Sequence, residues 1–152
     1  VYTENHDQNS WDGVAAEIYG DAYEAAIALS FTGSGMPLIY NGQEADNDRQ
    51  LEFFERDPIQ WRQGRHAALF EKLIALKTEA RALHNGRFGS PMVEVPTSSA
   101  ADVFAFTRGD AGQRVFAVFN LSPRAQSITF AQARHYGSYT DALSGEAAQF
   151  AG

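Results

Sequence analysis

The 152 residues, 44% hydrophobic and 20% charged, suffice for one or two small domains with a buried core and carry no compositional mark of disorder. The formal net charge of −7 argues against a nucleic-acid partner, whose phosphates are held by clustered Lys and Arg, whereas a neutral sugar suits such a surface. Cysteine is absent, which excludes disulfides and thiolate metal sites. The longest apolar stretches, such as Ala25 to Leu29, fall far short of the ~20 residues that span a bilayer.

The chain opens on Val1 with neither an initiator Met nor a charged-then-apolar leader, so its start reads as a cut. Val1 to Asn5 is short and β-prone and predicts a strand whose C-terminal end delivers His6 and Asp7. Asp12 to Gly20 is mixed in pattern. Asp21 then predicts the N-cap of a helix with Ala22, Ala25, Ala26 and Leu29 on one face, stopped by Thr32-Gly33-Ser34-Gly35.

Met36-Pro37-Leu38-Ile39-Tyr40 is a continuous apolar run after glycines, as expected of a parallel strand covered on both faces. Gln43 to Arg65 is a long polar loop with Phe53, Phe54 and Trp61 interspersed, and loops of that length are often functional. From His66 to Leu83 the spacing of Leu69, Phe70, Leu73, Leu76, Ala80 and Leu83 predicts an amphipathic helix. Asn85-Gly86 supplies its left-handed end, and His84 suits the negative end of the helix dipole.

Beyond Gly86 the pattern changes to β-prone segments separated by turns. Met92 to Val95, Val103 to Arg108, Val115 to Leu121, Ser127 to Phe130 and Tyr139 to Leu143 predict a small antiparallel domain, with Asp110-Ala111-Gly112 and Ser122-Pro123 among its breakers. Apolar residues on both faces of the second and third segments predict central strands packed on two sides. Strand, helix, strand, helix and then a run of strands is an α/β unit followed by an all-β unit.

Three segments carry a resemblance. Glu4-Asn5-His6-Asp7 resembles the Asn-His-Asp motif at the seventh barrel strand of the α-amylase family of retaining glycoside hydrolases. Gly35 to Glu44 is similar to its eighth-strand Gly-x-Pro-x-Ile-Tyr-x-Gly-x-Glu pattern. Tyr139 to Glu146 looks like the Tyr-x-Asp-x-Leu-Ser/Thr-Gly-Glu stretch of its terminal sandwich. Asn-His-Asp alone is a weak signal, and the three in order are a strong one. The resemblance implies the C-terminal portion of a (β/α)₈ TIM barrel, residues 1–84, followed by a small antiparallel β-sandwich domain, residues 85–152. A complete barrel needs about 250 residues, so this one would be incomplete.

The chemistry of the first motif agrees with that reading. Polar groups at the C-terminal ends of barrel strands are where such folds place their reactions. Retaining glycosidases work through an oxocarbenium-like transition state, helped by hydrogen bonds to sugar hydroxyls that tighten as charge develops. By resemblance Asp7 is the third carboxylate, gripping sugar hydroxyls at the cleavage point, and His6 donates beside it. Asn5, Trp11 and Glu44 are the substrate-binding positions, with Glu44 alternatively organising its loop.

Trp11, Trp61 and Phe53 either stack on sugar rings or pack within the protein. The nucleophile and general acid of the family lie on strands before this chain begins. The chain alone is therefore expected to be inactive. Asp46, Asp48, Glu52, Glu55 and Asp57 form an acidic run that reads as a solvated loop; a calcium site in the parent enzyme is the other reading, though the spacing fits no EF-hand.

The function expected by resemblance is that of a parent enzyme hydrolysing internal α-1,4 bonds of starch or maltooligosaccharides with retention. The alternatives are a non-catalytic carbohydrate-binding or regulatory fragment, or a transglycosylase of the same family. The expected partners are an α-glucan and either the rest of the barrel or a second copy paired through exposed strand edges.

Overall fold

The computed structural model describes residues 1–110 and 112–151. Helices α1 (His6–Trp11), α2 (Ala15–Tyr19), α3 (Tyr23–Thr32) and α4 (Ala67–Glu79) precede strands β1 (Val93–Glu94), β2 (Val103–Asp110), β3 (Gln113–Asn120), β4 (Gly137–Thr140) and β5 (Ala147–Phe150). The helical part and the antiparallel part thus follow one another in the expected order.

Neither of the two expected parallel strands is a regular strand. Residues 1–3 and 36–38 nevertheless run parallel: the Val1 amino group donates to the Met36 carbonyl at 2.8 Å, and the Leu38 N–H donates to the Val1 carbonyl at 2.9 Å. One such link, without neighbouring strands to extend it, does not make a sheet, so no barrel sheet is present among the described residues. Met36 and Leu38 are exposed while Ile39 packs on the core. Cover on both faces was expected of this segment within a complete barrel, and the present chain supplies it on one face.

α3 ends at Thr32, before the glycines, but its buried stripe is not the expected one. Tyr23, Ile27 and Phe31 point inward and meet Ala15, Phe70 and Leu73. Ala22, Ala25, Ala26 and Leu29 are only half-buried, because the larger side chains at spacing i, i+4, i+8 remove more apolar surface from water. Asp21 is not the N-cap: it lies in a 3-10 turn, Gly20–Ala22, and Ala22 takes the cap position.

α4 buries Phe70 and Leu73 with the predicted period but stops at Glu79. Ala80 leaves the helical region, and a 3-10 turn, Arg81–Leu83, continues the buried face through Ala82 and Leu83. Lys77 holds this corner, donating to the carbonyls of Phe31, Gly35 and Leu83 at 3.1, 3.2 and 2.8 Å. Gly86 is left-handed (φ 56°) yet opens a separate 3-10 turn. His84 Nε2 lies 3.2 Å from the Thr78 carbonyl near the end of α4, where the dipole favours it.

The antiparallel part forms a three-stranded sheet in the order β1-β2-β3 and a separate ribbon of β4 and β5. β2 is central and its residues Val103 and Ala105 to Arg108 are buried. β3 is the edge and only Phe119 is buried, so the expectation of two covered faces fails for it. Ser127 to Phe130 is not a strand and contributes a single bridge, Thr97↔Phe130. Ala111, in the expected β2–β3 turn, lies outside the described residues.

Phe116 of β3, Phe130, His135, Tyr139 and Phe150 cluster at ring separations of 4.5–6.3 Å between sheet and ribbon. β4 and β5 form a hairpin whose turn is Asp141 to Glu146. Asp141 accepts from Leu143 and Ser144 N–H at 2.8 and 2.7 Å, and Gly145 supplies the left-handed residue at φ 80°.

Candidate active-site edge at helix α1

The extended segment 1–5 leads straight into α1, so His6 and Asp7 sit in a helical first turn and not in the loop expected there. Asn5 starts the helix: its Oδ1 accepts from the Gln8 N–H at 2.8 Å, as a capping asparagine does. That bond occupies the Asn5 oxygen and leaves its amide N–H groups for other partners. His6 Nε2 and Asp7 Oδ1 are 3.5 Å apart, and both side chains are largely exposed. Asp7 and Trp11 are four residues apart on one helical face.

Beneath them lies a carboxylate that sequence reading passed over. Glu4 is buried, and its Oε1 accepts from Asn9 Nδ2 at 3.0 Å and from Ala15 N–H at 3.1 Å. Asn9, fully buried, also donates to the Arg49 carbonyl at 3.3 Å and accepts from the Leu51 N–H at 2.8 Å. Ser10 Oγ donates to the Leu51 carbonyl at 2.8 Å. The first stretch of the long loop is thereby fastened to α1.

The loop carries Phe53 and Phe54 next to that helix. The Phe53 ring stacks on His6 at 5.8 Å and meets Trp11 at 5.6 Å, and Phe54 lies 4.9 Å from Phe53 and 6.4 Å from Trp11. Trp61 is exposed, with no ring contact to this group among the described residues.

The acidic run is more ordered than a solvated loop. Asp57 makes a two-pronged pair with Arg49 at 2.8 and 2.5 Å. The guanidinium, together with the Glu52 N–H, lowers the Asp57 pKa to about 2. Asp48 pairs with Arg62 at 2.9 Å. Asp46, held at φ 50°, accepts from the Arg65 N–H and from His66 Nδ1, each at 2.5 Å. Burial pushes its pKa up, but these bonds outweigh it and the net shift is downward.

Asp46, Asp48 and Asp57 are committed to separate partners, whereas Glu52 and Glu55 are exposed, as a solvated loop would have them. Among the described residues no group of three or more His, Asp, Glu or Cys gathers around one point.

Glu44 Oε2 accepts from the Gly42 N–H at 2.9 Å, and this bond closes a tight turn. Gln43 joins three elements: its Nε2 donates to Thr3 Oγ1 and to the Tyr23 hydroxyl, both at 2.9 Å, while Oε1 accepts from the Tyr40 N–H at 2.8 Å. Burial raises the Tyr23 pKa to about 12. His66 is buried between Asp46 and Glu24, with Nε2 3.6 Å from a Glu24 carboxylate oxygen.

The structure therefore brings Asn5, His6, Asp7 and Trp11 together, and sets Glu44 in the neighbouring turn. Glu4 and Asn9 were missed, and Gln43, expected with Glu44 on the active-site rim, is buried and holds three elements together. Their partners lie up to 42 residues away, and the only sequence signal was a polar residue beside each motif.

Residues 97–152 match the family model described as alpha amylase, C-terminal all-beta domain. In that segment the chain is similar to the terminal β-domain of α-amylases. The crystal structure of a noncanonic maltogenic alpha-amylase, AmyB, from Thermotoga neapolitana resembles the chain with a TM-score of 0.82 at 19% sequence identity. The match covers 98% of this chain and 35% of that one, so the chain spans about a third of that amylase, and the likeness establishes a shared fold. No curated protein matches by sequence.

Proposed function

We propose that the chain is the C-terminal part of a retaining α-glucan hydrolase acting on internal α-1,4 bonds of starch or maltooligosaccharides. In this reading residues 1–84 are the last two βα units of the catalytic barrel, and residues 85–152 are the terminal β-domain. The observation that carries it is the exposed His6–Asp7 pair, 3.5 Å apart, at the end of the segment that runs parallel to residues 36–38.

Asp7 grips hydroxyls of the sugar at the cleavage point, through bonds that strengthen as positive charge develops on the ring. His6 donates beside it. Asn5 offers the N–H groups that its capping bond leaves free, and Trp11 offers an aromatic face. Glu44 organises the neighbouring turn through Gly42, at the rim of the site. The nucleophile and general acid come from elsewhere in the parent enzyme.

The test is Asp7→Asn in the full-length protein, assayed on maltoheptaose. The expected outcome is a fall in kcat of at least about a hundredfold, as for other groups that stabilise a transition state, with a much smaller change in KM. A loss confined to KM would assign Asp7 to uniform substrate binding and overturn the mechanism.

A further inference from the structure

We propose that Gln43 is a positioning residue for Asp7. Its buried amide takes the place of the next rung in the parallel pairing of residues 1–3 with 36–38, and so sets where the His6–Asp7 turn begins; the inference rests on the α-glucan reading. In parallel pairing one residue bonds to the two that flank its partner, as Val1 does with Met36 and Leu38. Continued along the chain, the same pattern would join Thr3 to Tyr40 through backbone groups. Instead the Tyr40 N–H donates to Gln43 Oε1 at 2.8 Å, and Gln43 Nε2 donates to Thr3 Oγ1 at 2.9 Å. A backbone N–H only donates, so the amide oxygen faces Tyr40 and the nitrogen faces the hydroxyls of Thr3 and Tyr23.

The linkage is stiff at both ends. Gln43, Thr3 and Tyr23 are all buried. Gln43 opens a 3-10 turn, Gln43–Ala45, which is pinned by the bond from the Gly42 N–H to Glu44 and, just past its end, by Asp46 on His66. Thr3 lies at the bend where the first segment turns toward α1. Between Thr3 and Asp7, Glu4 is fixed by Asn9 and Ala15, and Asn5 by its capping bond from Gln8. A displacement at Thr3 is therefore carried to Asp7 and not absorbed by a loose loop. An apolar side chain could fill the same space without the cost of desolvating an amide. What the amide adds is a fixed distance between the two segments.

The experiment uses the full-length protein with maltoheptaose and compares variants that each remove one bond from Gln43. Thr3→Val cuts the arm toward Asp7, and Tyr23→Phe cuts the arm toward α3, each with little change of shape. Thr3→Val, like Gln43→Leu, should lower kcat by about tenfold to a hundredfold, the scale of an ångström's misplacement at a reacting centre, with little change in KM. Thr3→Ser should restore kcat, and Tyr23→Phe should leave it unchanged. In an Asp7→Asn background the further loss from Thr3→Val should vanish, because its effect passes through that carboxylate. The His6 ring resonances should shift in Thr3→Val and not in Tyr23→Phe. Equal kcat in Thr3→Val and Tyr23→Phe, whether both fall or neither does, with Asp7→Asn still lowering kcat, would overturn the positioning role and leave the α-glucan reading standing. Turnover indifferent to Asp7→Asn would overturn the α-glucan reading, and the linkage itself would then stand or fall on the His6 shift in Thr3→Val.

Discussion

The guanidinium of Arg108, in β2, donates to the carbonyl oxygen of Gly33 at 2.7 Å, just past the end of α3. The same side chain reaches the carbonyls of Thr32, His84 and Ser90 at 3.1, 3.1 and 2.9 Å. A buried cation thus satisfies the C-terminal end of a helix and two connecting segments at once. Burial lowers its pKa from the ordinary arginine value, and four carbonyl dipoles offset that desolvation in place of a carboxylate. The antiparallel part is held to the helical part by this contact, while Lys77 works on the other side of the same corner.

Arg108→Met keeps the apolar stem and removes the donors, leaving buried carbonyls without partners. We expect a loss of about 2–4 kcal/mol in unfolding free energy, measured by denaturant titration. Arg108→Lys should recover only part of it, because one ammonium cannot span carbonyls that a planar fork reaches from several sides.

Asn9→Ala should cost about 2 kcal/mol, since it strips Glu4 of one donor and leaves the Leu51 N–H without its acceptor. Asn9→Asp should cost more, because it sets a second carboxylate beside the buried Glu4. Thermal unfolding of the two variants gives the order, and faster hydrogen exchange at the Leu51 amide identifies the loosened loop. Equal stability of both variants and the parent chain would show that the clamp contributes nothing.

Periodicity made α4 legible because its apolar residues are large and regularly spaced, and β2 was legible from its β-branched and aromatic content. The expected strand Tyr139 to Leu143 is only partly right: β4 ends at Thr140, because Asp141 and Gly145 turn the chain into β5. β5 escaped notice: Ala-Ala-Gln-Phe has low strand propensity and is held by pairing with β4 and by one ring, Phe150. α1 escaped because it has no apolar stripe, being started by Asn5 and held by the long-range bonds of Asn9. At the site, His6, Asp7 and Trp11 stood out as motif residues. The buried polar groups that support them did not, because a side chain bonding to backbone some 40 residues away leaves no local pattern.

Gly64→Ala probes the turn that holds Asp46 against His66. A Cβ at Gly64 would meet the Glu44 carbonyl oxygen, and would come within 2.8 Å of Asp46 N and 2.9 Å of Ala45 C. All three are backbone atoms that cannot swing aside. The expected cost is about 1–3 kcal/mol, as for other overpacked sites, with the His66 ring resonances shifting as Asp46 moves. Unaltered stability and unaltered ring shifts would show that the turn yields freely.

Acid should loosen the Phe53–Phe54 loop over a defined range. The Arg49 guanidinium and the Glu52 N–H bond the ionised form of Asp57 and hold its pKa at about 2, against about 3.9 for an unconstrained Asp. Because the folded value is the lower one, the contribution of this pair is complete above the unfolded value. It is lost as pH falls from about 4 through about 2, where the unfolded chain binds a proton before the folded one does. Carbon-13 NMR of the Asp57 carboxyl should give a midpoint near 2, and the Trp11 and Phe53 resonances should move with it. Arg49→Gln should raise that midpoint toward about 3.9 and make the loop resonances insensitive to pH below it. A midpoint near 4 in the unaltered chain would mean that Arg49 does not hold Asp57 in solution, and the loop would then depend on Asn9 and Ser10 alone for its attachment.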